Sequence, residues 1–137
     1  MPLVISPASL STAGVLLVAI VLIEWGGVHV LSLTRGHRAA TPFQLTFARA
    51  GHAHAGVLVI LSLVAQLYID AAQPVGLLEA LSRNGITLAA ILIPAGFFLS
   101  AAGRDRTEPN RVIWLLYVGA VVLAVGVLAL GVSLLTV

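Results

Sequence analysis

Residues 49–70 read RAGHAHAGVLVILSLVAQLYID. An apolar tract runs through them, headed by an arginine and two histidines and closed by a glutamine and an aspartate. Arg49, His52, Gly56, Val59, Leu63, Gln66 and Asp70 follow alternating steps of three and four, which puts them on one stripe of an α-helix. The stripe collects the strongly polar residues of the stretch except His54. A helix this long and apolar is a membrane span, which takes roughly 20 such residues. Its polar stripe is expected to look into a helix bundle or along a subunit interface, with Gly56 admitting a close neighbour. Arginine and histidine are costly in hydrocarbon, so Arg49, His52 and His54 are functional candidates.

Upstream, Thr41-Pro42-Phe43-Gln44 has the grammar of a helix start: Thr as N-cap, Pro at the first helical position and Gln where a capping box wants it. The span therefore runs over 42–70. At 1.5 Å per residue it is roughly 43 Å long, more than the hydrocarbon core, so one end projects. Three further apolar runs give spans over about 9–33, 84–102 and 112–135. Val75 to Arg83 reads as a short amphipathic piece, either interfacial or the beginning of the third span. Pro94 favours a kink there that packing accommodates.

The 137-residue chain is 60% hydrophobic and 9% charged, with a mean hydropathy of +1.11. The expectation is an all-α, single-domain, four-helix membrane bundle over residues 1–137, with the lipid bilayer as its first partner and the cell membrane as its location. No Arg or Lys precedes the first run, so Met1 to Gly14 lacks the basic region of a secretory leader and is expected to stay. The absence of cysteine rules out disulfides and thiolate ligands. A net charge of +2 from scattered arginines makes no basic groove, so no nucleic-acid partner is expected.

Arg35, Arg38, Arg49, Arg104, Arg106 and Arg111 flank the first and third loops, against Arg83 alone on the other side. By the positive-inside rule those loops are cytoplasmic and both termini extracytoplasmic. Gly119, Gly126 and Ser133 recur every seven residues, and Gly96 and Ser100 stand four apart, spacings that suit close helix contacts and a homo-oligomer.

Spans 1 and 2 are antiparallel, so His29 comes close in depth to His52 and His54, with Glu24 roughly 7.5 Å deeper, and together with Arg49 they can converge in the cytoplasmic half of the bundle. His52 and His54 lie about 200° apart on a regular helix and do not readily share one metal. A Glu24 pair with Arg49 or His52 is the economical way to place a carboxylate there. His29, His52 and His54 are the candidate cofactor or metal ligands, and Glu24 and Arg49 the candidate catalytic groups. His37, between two arginines, reads as solvated, and Asp70 and Glu79 read as interfacial.

The phrase Ala50-Gly51-His52-Ala53-His54-Ala55 resembles the histidine-bearing helix of haem-copper oxidase subunit I and related small membrane proteins. The resemblance implies His52 or His54 as an axial ligand of a b-type haem, with His29 as the partner from span 1. It is confined to this phrase and its flanks, and the oxidases' copper ligands have no counterpart. In length, four spans, external termini and an Arg- and His-bearing second span, the chain also resembles the MAPEG family of glutathione-dependent membrane enzymes. There Arg49 and His52 match an RxxH-like phrase, while Ala and aliphatic residues replace the Asn and Glu expected further along. The leading reading is thus a haem- or transition-metal-binding membrane protein, in electron transfer with an unidentified redox partner, in sensing or in cofactor handling. The alternatives are an enzyme holding an anionic cosubstrate on Arg49, a proton-coupled transporter or channel using Glu24 and the histidines, and an accessory subunit without a site.

Overall fold

The computed structural model describes residues 4–136, so the first residues of the Met1–Gly14 segment lie outside it. Four helices follow one another: α1 (Pro7–Thr34), α2 (Pro42–Ala72), α3 (Leu77–Ser100) and, after a 3-10 turn at Arg111–Ile113, α4 (Trp114–Leu135). All four are long and apolar enough to cross a membrane. The protein is a multi-pass integral membrane protein built as a four-helix bundle.

Local chemistry sets the helix ends. Ser6 caps α1 by accepting from the Ser9 amide, and Thr41 with Gln44 forms the expected capping box at the start of α2, with Pro42 in the first turn. At the end of α2, Gln73 takes a left-handed conformation (φ 48°), and Pro74 follows, which cannot continue the helix hydrogen bonding. The piece from Val75 to Arg83 is not a separate interfacial helix. From Leu77 it is continuous with α3, which starts seven residues before the expected Asn84 and runs unbroken through Pro94. Asn110 closes the other end of α3, donating its amide and side chain to Ser100 O and Leu99 O at 2.9 Å each.

Packing follows two adjacent stripes of α2. Ala48, Gly51, Ala55, Leu58, Ser62, Ala65 and Ile69 are buried at three–four spacing. These small and apolar residues face α3: Gly51 lies against Phe97 and Phe98, Ser62 and Thr87 share a 2.8 Å hydrogen bond, and Ala65 and Ile69 pack with Ile86. The polar stripe from Arg49 to Asp70 is rotated by one residue, about 100°, and faces α1. The close approach therefore belongs to Gly51, and not to Gly56, which has open space where a β-carbon would stand.

Between α3 and α4 the glycines allow backbone contact. Gly85 meets Gly126, Gly96 meets Leu116, and Gly119 meets Leu92 and Ile93. Since lipid is as apolar as the helix surfaces, this close packing, rather than hydrophobic exclusion, holds the pair together. The small residues spaced along α3 and α4 are thus occupied within the chain. By contrast, α1 approaches α2 alone at the level of the backbone. It leaves a groove beside α3, floored by α2, of about 300 Å³ and lined by Leu16, Ile23, Gly26, His52, Thr87 and Phe98 among others.

Candidate functional site

The polar stripe of α2 meets α1 along its whole length. At one end Arg49 Nη2 donates to Thr34 Oγ1 at 3.3 Å. A turn on, the His52 ring lies on α1 at Gly27, where an added β-carbon would stand 3.1–3.2 Å from Cε1 and Nε2. Val59 and Leu63 pack with Leu16, Ile20 and Ile23. At the far end Ser9 Oγ donates to Gln66 O, and Ser6 donates to both Asp70 oxygens, from its amide at 2.8 Å and its hydroxyl at 2.9 Å.

This contact explains where Glu24 goes. Ile20, Ile23 and Gly27 take the α2-facing edge of α1, which turns Glu24 outward and exposes it. The expected pair with Arg49 or His52 does not form, and among the described residues Glu24 makes no ion pair or side-chain hydrogen bond. Gly27 also yields a test of the His52 seat. Gly27→Val is expected to lower stability by about 1–3 kcal/mol, because its side chain enters the space of the imidazole. Gly26→Ala meets nothing nearer than 3.9 Å and should be neutral or better. Thermal unfolding in detergent reads both; equal midpoints for the two variants would contradict the seating.

The three candidate histidines do not share one cavity. His29 Nδ1 lies 3.4 Å from Arg38 Nη1. Arginine only donates, so Nδ1 accepts and a neutral His29 carries its proton on Nε2. His29 lines cavities at the loop end, while His52 lines the α1–α3 groove, with Phe98 between the two spaces. His54 is on the other side of α2, exposed, with its ring centroid 5.0 Å from that of Phe97. Its Nδ1 is 2.7 Å from Ala50 O. A carbonyl oxygen only accepts, so Nδ1 holds the proton, and a neutral ring presents the lone pair of Nε2 outward.

Among the described residues, no three His, Asp or Glu side chains come together as ligands for a metal ion. A haem asks for less, because the porphyrin supplies four nitrogens and the protein one or two. His52 fits that role less well, since its Cε1–Nε2 edge lies toward Gly27 of α1. His54 does fit: its Nε2 is open, and the hydrogen bond from Nδ1 to a carbonyl is the contact that fixes tautomer and orientation in ligating histidines.

A second polar cluster, at the opposite end of the helices, was not anticipated. Arg83 of α3 donates to Ser9 Oγ at 2.7 Å and Gln66 Oε1 at 2.8 Å, and pairs with Asp70 at 3.3 Å and Glu79 at 3.5 Å. It joins α1, α2 and α3 through one guanidinium, with the Arg83 and Asp70 side chains only 14% and 4% exposed. Asp70 and Glu79 are therefore clasp residues rather than free interfacial groups. The available signal was their common depth: Ser6 and Ser9 open α1, Gln66 and Asp70 close α2, and Glu79 and Arg83 open α3. Comparison with family models, with curated proteins and with solved structures finds no match to this chain.

Proposed function

We propose that this chain is a haem-binding membrane protein in which His54 supplies the axial nitrogen. The observation that carries the reading is the His54 Nδ1–H bond to Ala50 O at 2.7 Å, which leaves Nε2 unprotonated and open on the outer face of α2. His54 lies roughly 18 Å along the axis from Pro42, so its imidazole stands at membrane depth. A bare Nε2 lone pair facing lipid there is costly, and ligation of iron would remove that cost. Bound haem would supply one-electron chemistry, with Phe97 and Phe47 forming the apolar wall beside the ligand. The likeness of the Ala50–Ala55 phrase to the oxidase helix supports the same assignment. The assignment moves the ligand from the α1–α2 seam to the outer face of α2.

The arginine asymmetry orients the chain with the first and third loops in the cytoplasm and both termini outside, and so places His54 in the cytoplasmic half. The alternatives draw less support. Arg49 is exposed and engaged with Thr34, and Glu24 has no relay partner, so neither the anionic-cosubstrate enzyme nor the proton relay has an assembled site.

Expression with haem supplementation tests the proposal. Wild type is expected to purify with a Soret band that is lost in His54→Ala and kept in His29→Ala and His52→Ala. A preparation that stays colourless after hemin loading, or a band indifferent to His54, overturns it.

A further inference from the structure

The arginine-rich end of the bundle holds a second feature, separate from His54. Six arginines gather there, Arg35, Arg38, Arg49, Arg104, Arg106 and Arg111, with Asp105 and Glu108 as the only carboxylates in the same loops. Among the described residues none of the six is in a salt bridge. Of these arginines, Arg38 lines two cavities. One, of about 420 Å³, is bounded by His29, Leu33, Arg38, Gln44 and Phe98 with the loop after α3. The other, of about 190 Å³, opens on the outer side of α1 between Trp25, Val28, His29, Ser32 and Arg38.

Both cavities share the Arg38–His29 pair, and neither is lined by an acidic residue. Around the pair, Gln44 Nε2 donates to Ala101 O and Gly103 O, and Ser32 Oγ donates to His29 O. The pair itself is rich in donors. Arg38 gives one hydrogen bond, to His29 Nδ1, which keeps the His29 Nε2–H as a donor too. A donor pair with no carboxylate in either lining suits an anion with several oxygens, and phosphate matches the guanidinium fork. Beside it Trp25 is 76% exposed on a lipid-facing surface continued by Val28 and Leu22. An apolar ridge leading from a phosphate-sized donor cluster fits a phospholipid and has no use for a free ion.

We propose that Arg38 and His29 form a headgroup site for an anionic phospholipid, whose phosphate oxygens accept from both side chains while an acyl chain lies along α1 past Trp25 and Val28. The positive surroundings select anionic headgroups over zwitterionic ones. The site uses none of the His54 geometry and stands or falls without the haem reading.

The test titrates detergent-solubilised protein with phosphatidylglycerol, phosphatidylcholine or inorganic phosphate. It follows bound lipid by native mass spectrometry and quenching of Trp25 by brominated acyl chains, with Trp114→Phe removing the other tryptophan signal. Phosphatidylglycerol is expected to bind and quench, and the affinity to fall about tenfold or more in Arg38→Ala, the loss of a hydrogen bond to a charged group. Arg104→Ala, in the loop and outside both cavities, should bind as wild type does. Equal affinity in Arg38→Ala, equal binding of phosphatidylcholine, or full competition by inorganic phosphate at matched concentration would each overturn the assignment. Thermal unfolding of Arg38→Ala within a degree or so of wild type shows that any loss of binding is not a loss of fold.

Discussion

Arg83→Ala is expected to destabilise the protein by about 3–5 kcal/mol, the range for breaking a buried ion pair from one side. Among the described residues, the arginine is the one cation that Ser9, Gln66, Asp70 and Glu79 share. Removing it leaves the Asp70 carboxylate, 4% exposed, to its serine donors without a counter-charge among the described residues, and strips the donor from Gln66 Oε1. The clasp is not fully satisfied even in the native chain, since Gln66 Nε2 and Arg83 Nε have no protein acceptor. That makes the double variant informative. Arg83→Met with Asp70→Asn removes both charges together, and it should recover most of the loss, because an uncompensated carboxylate costs more than an absent pair. The measurement is the thermal or denaturant midpoint in a mild detergent, with Glu79→Gln as a control at a half-exposed partner. A single Arg83→Ala variant as stable as wild type would show that the clasp only decorates the helix ends.

The helices were legible because their signals are local. Apolar runs of span length, the Thr41–Gln44 capping box and the three–four stripe from Arg49 to Asp70 each lie within one stretch of chain. What each stripe faces was not, because that depends on a rotation of a single residue. The Arg49–Asp70 stripe meets α1, and its neighbour, one residue earlier at Ala48, Gly51 and Ala55, meets α3. The same step separates the tight Gly51 from the open Gly56. Glu24 follows the same rule: depth leaves it within reach of Arg49 and His52, but Ile23 and Gly27 hold the seam and the carboxylate turns away. Arg83 and Glu79 looked like the polar margin before a span, when they are the means by which three helix ends are tied. Recognising that needed residues from three separate stretches placed at one depth, which no pattern within any one stretch records.

The tightest backbone approach at any glycine sets the other large effect. An ideal β-carbon on Gly96 would lie 2.5 Å from the Leu116 amide nitrogen and 2.8 Å from its Cα. The obstacle is backbone, so no side-chain rotation relieves it, and α4 must move away from α3. Overpacking typically costs 1–3 kcal/mol and more where neighbours cannot yield, so Gly96→Ala is expected to cost at least about 2 kcal/mol and Gly96→Leu to abolish the folded yield. The loss should spread along the interface, because Gly85 against Gly126 and Gly119 against Ile93 depend on the same separation of helix axes. Gly56→Ala, which meets nothing within 4 Å, is the matched control and should be neutral or slightly stabilising through its helix propensity. Unfolding midpoints and monodisperse yield from detergent read the series. If Gly96→Ala matched Gly56→Ala, the α3–α4 pair would have slack that its backbone contacts do not allow. The ordering Gly56→Ala, wild type, Gly96→Ala, Gly96→Leu follows from helix propensity where there is room and from distance to backbone where there is none, since all three changes replace a glycine hydrogen with carbon.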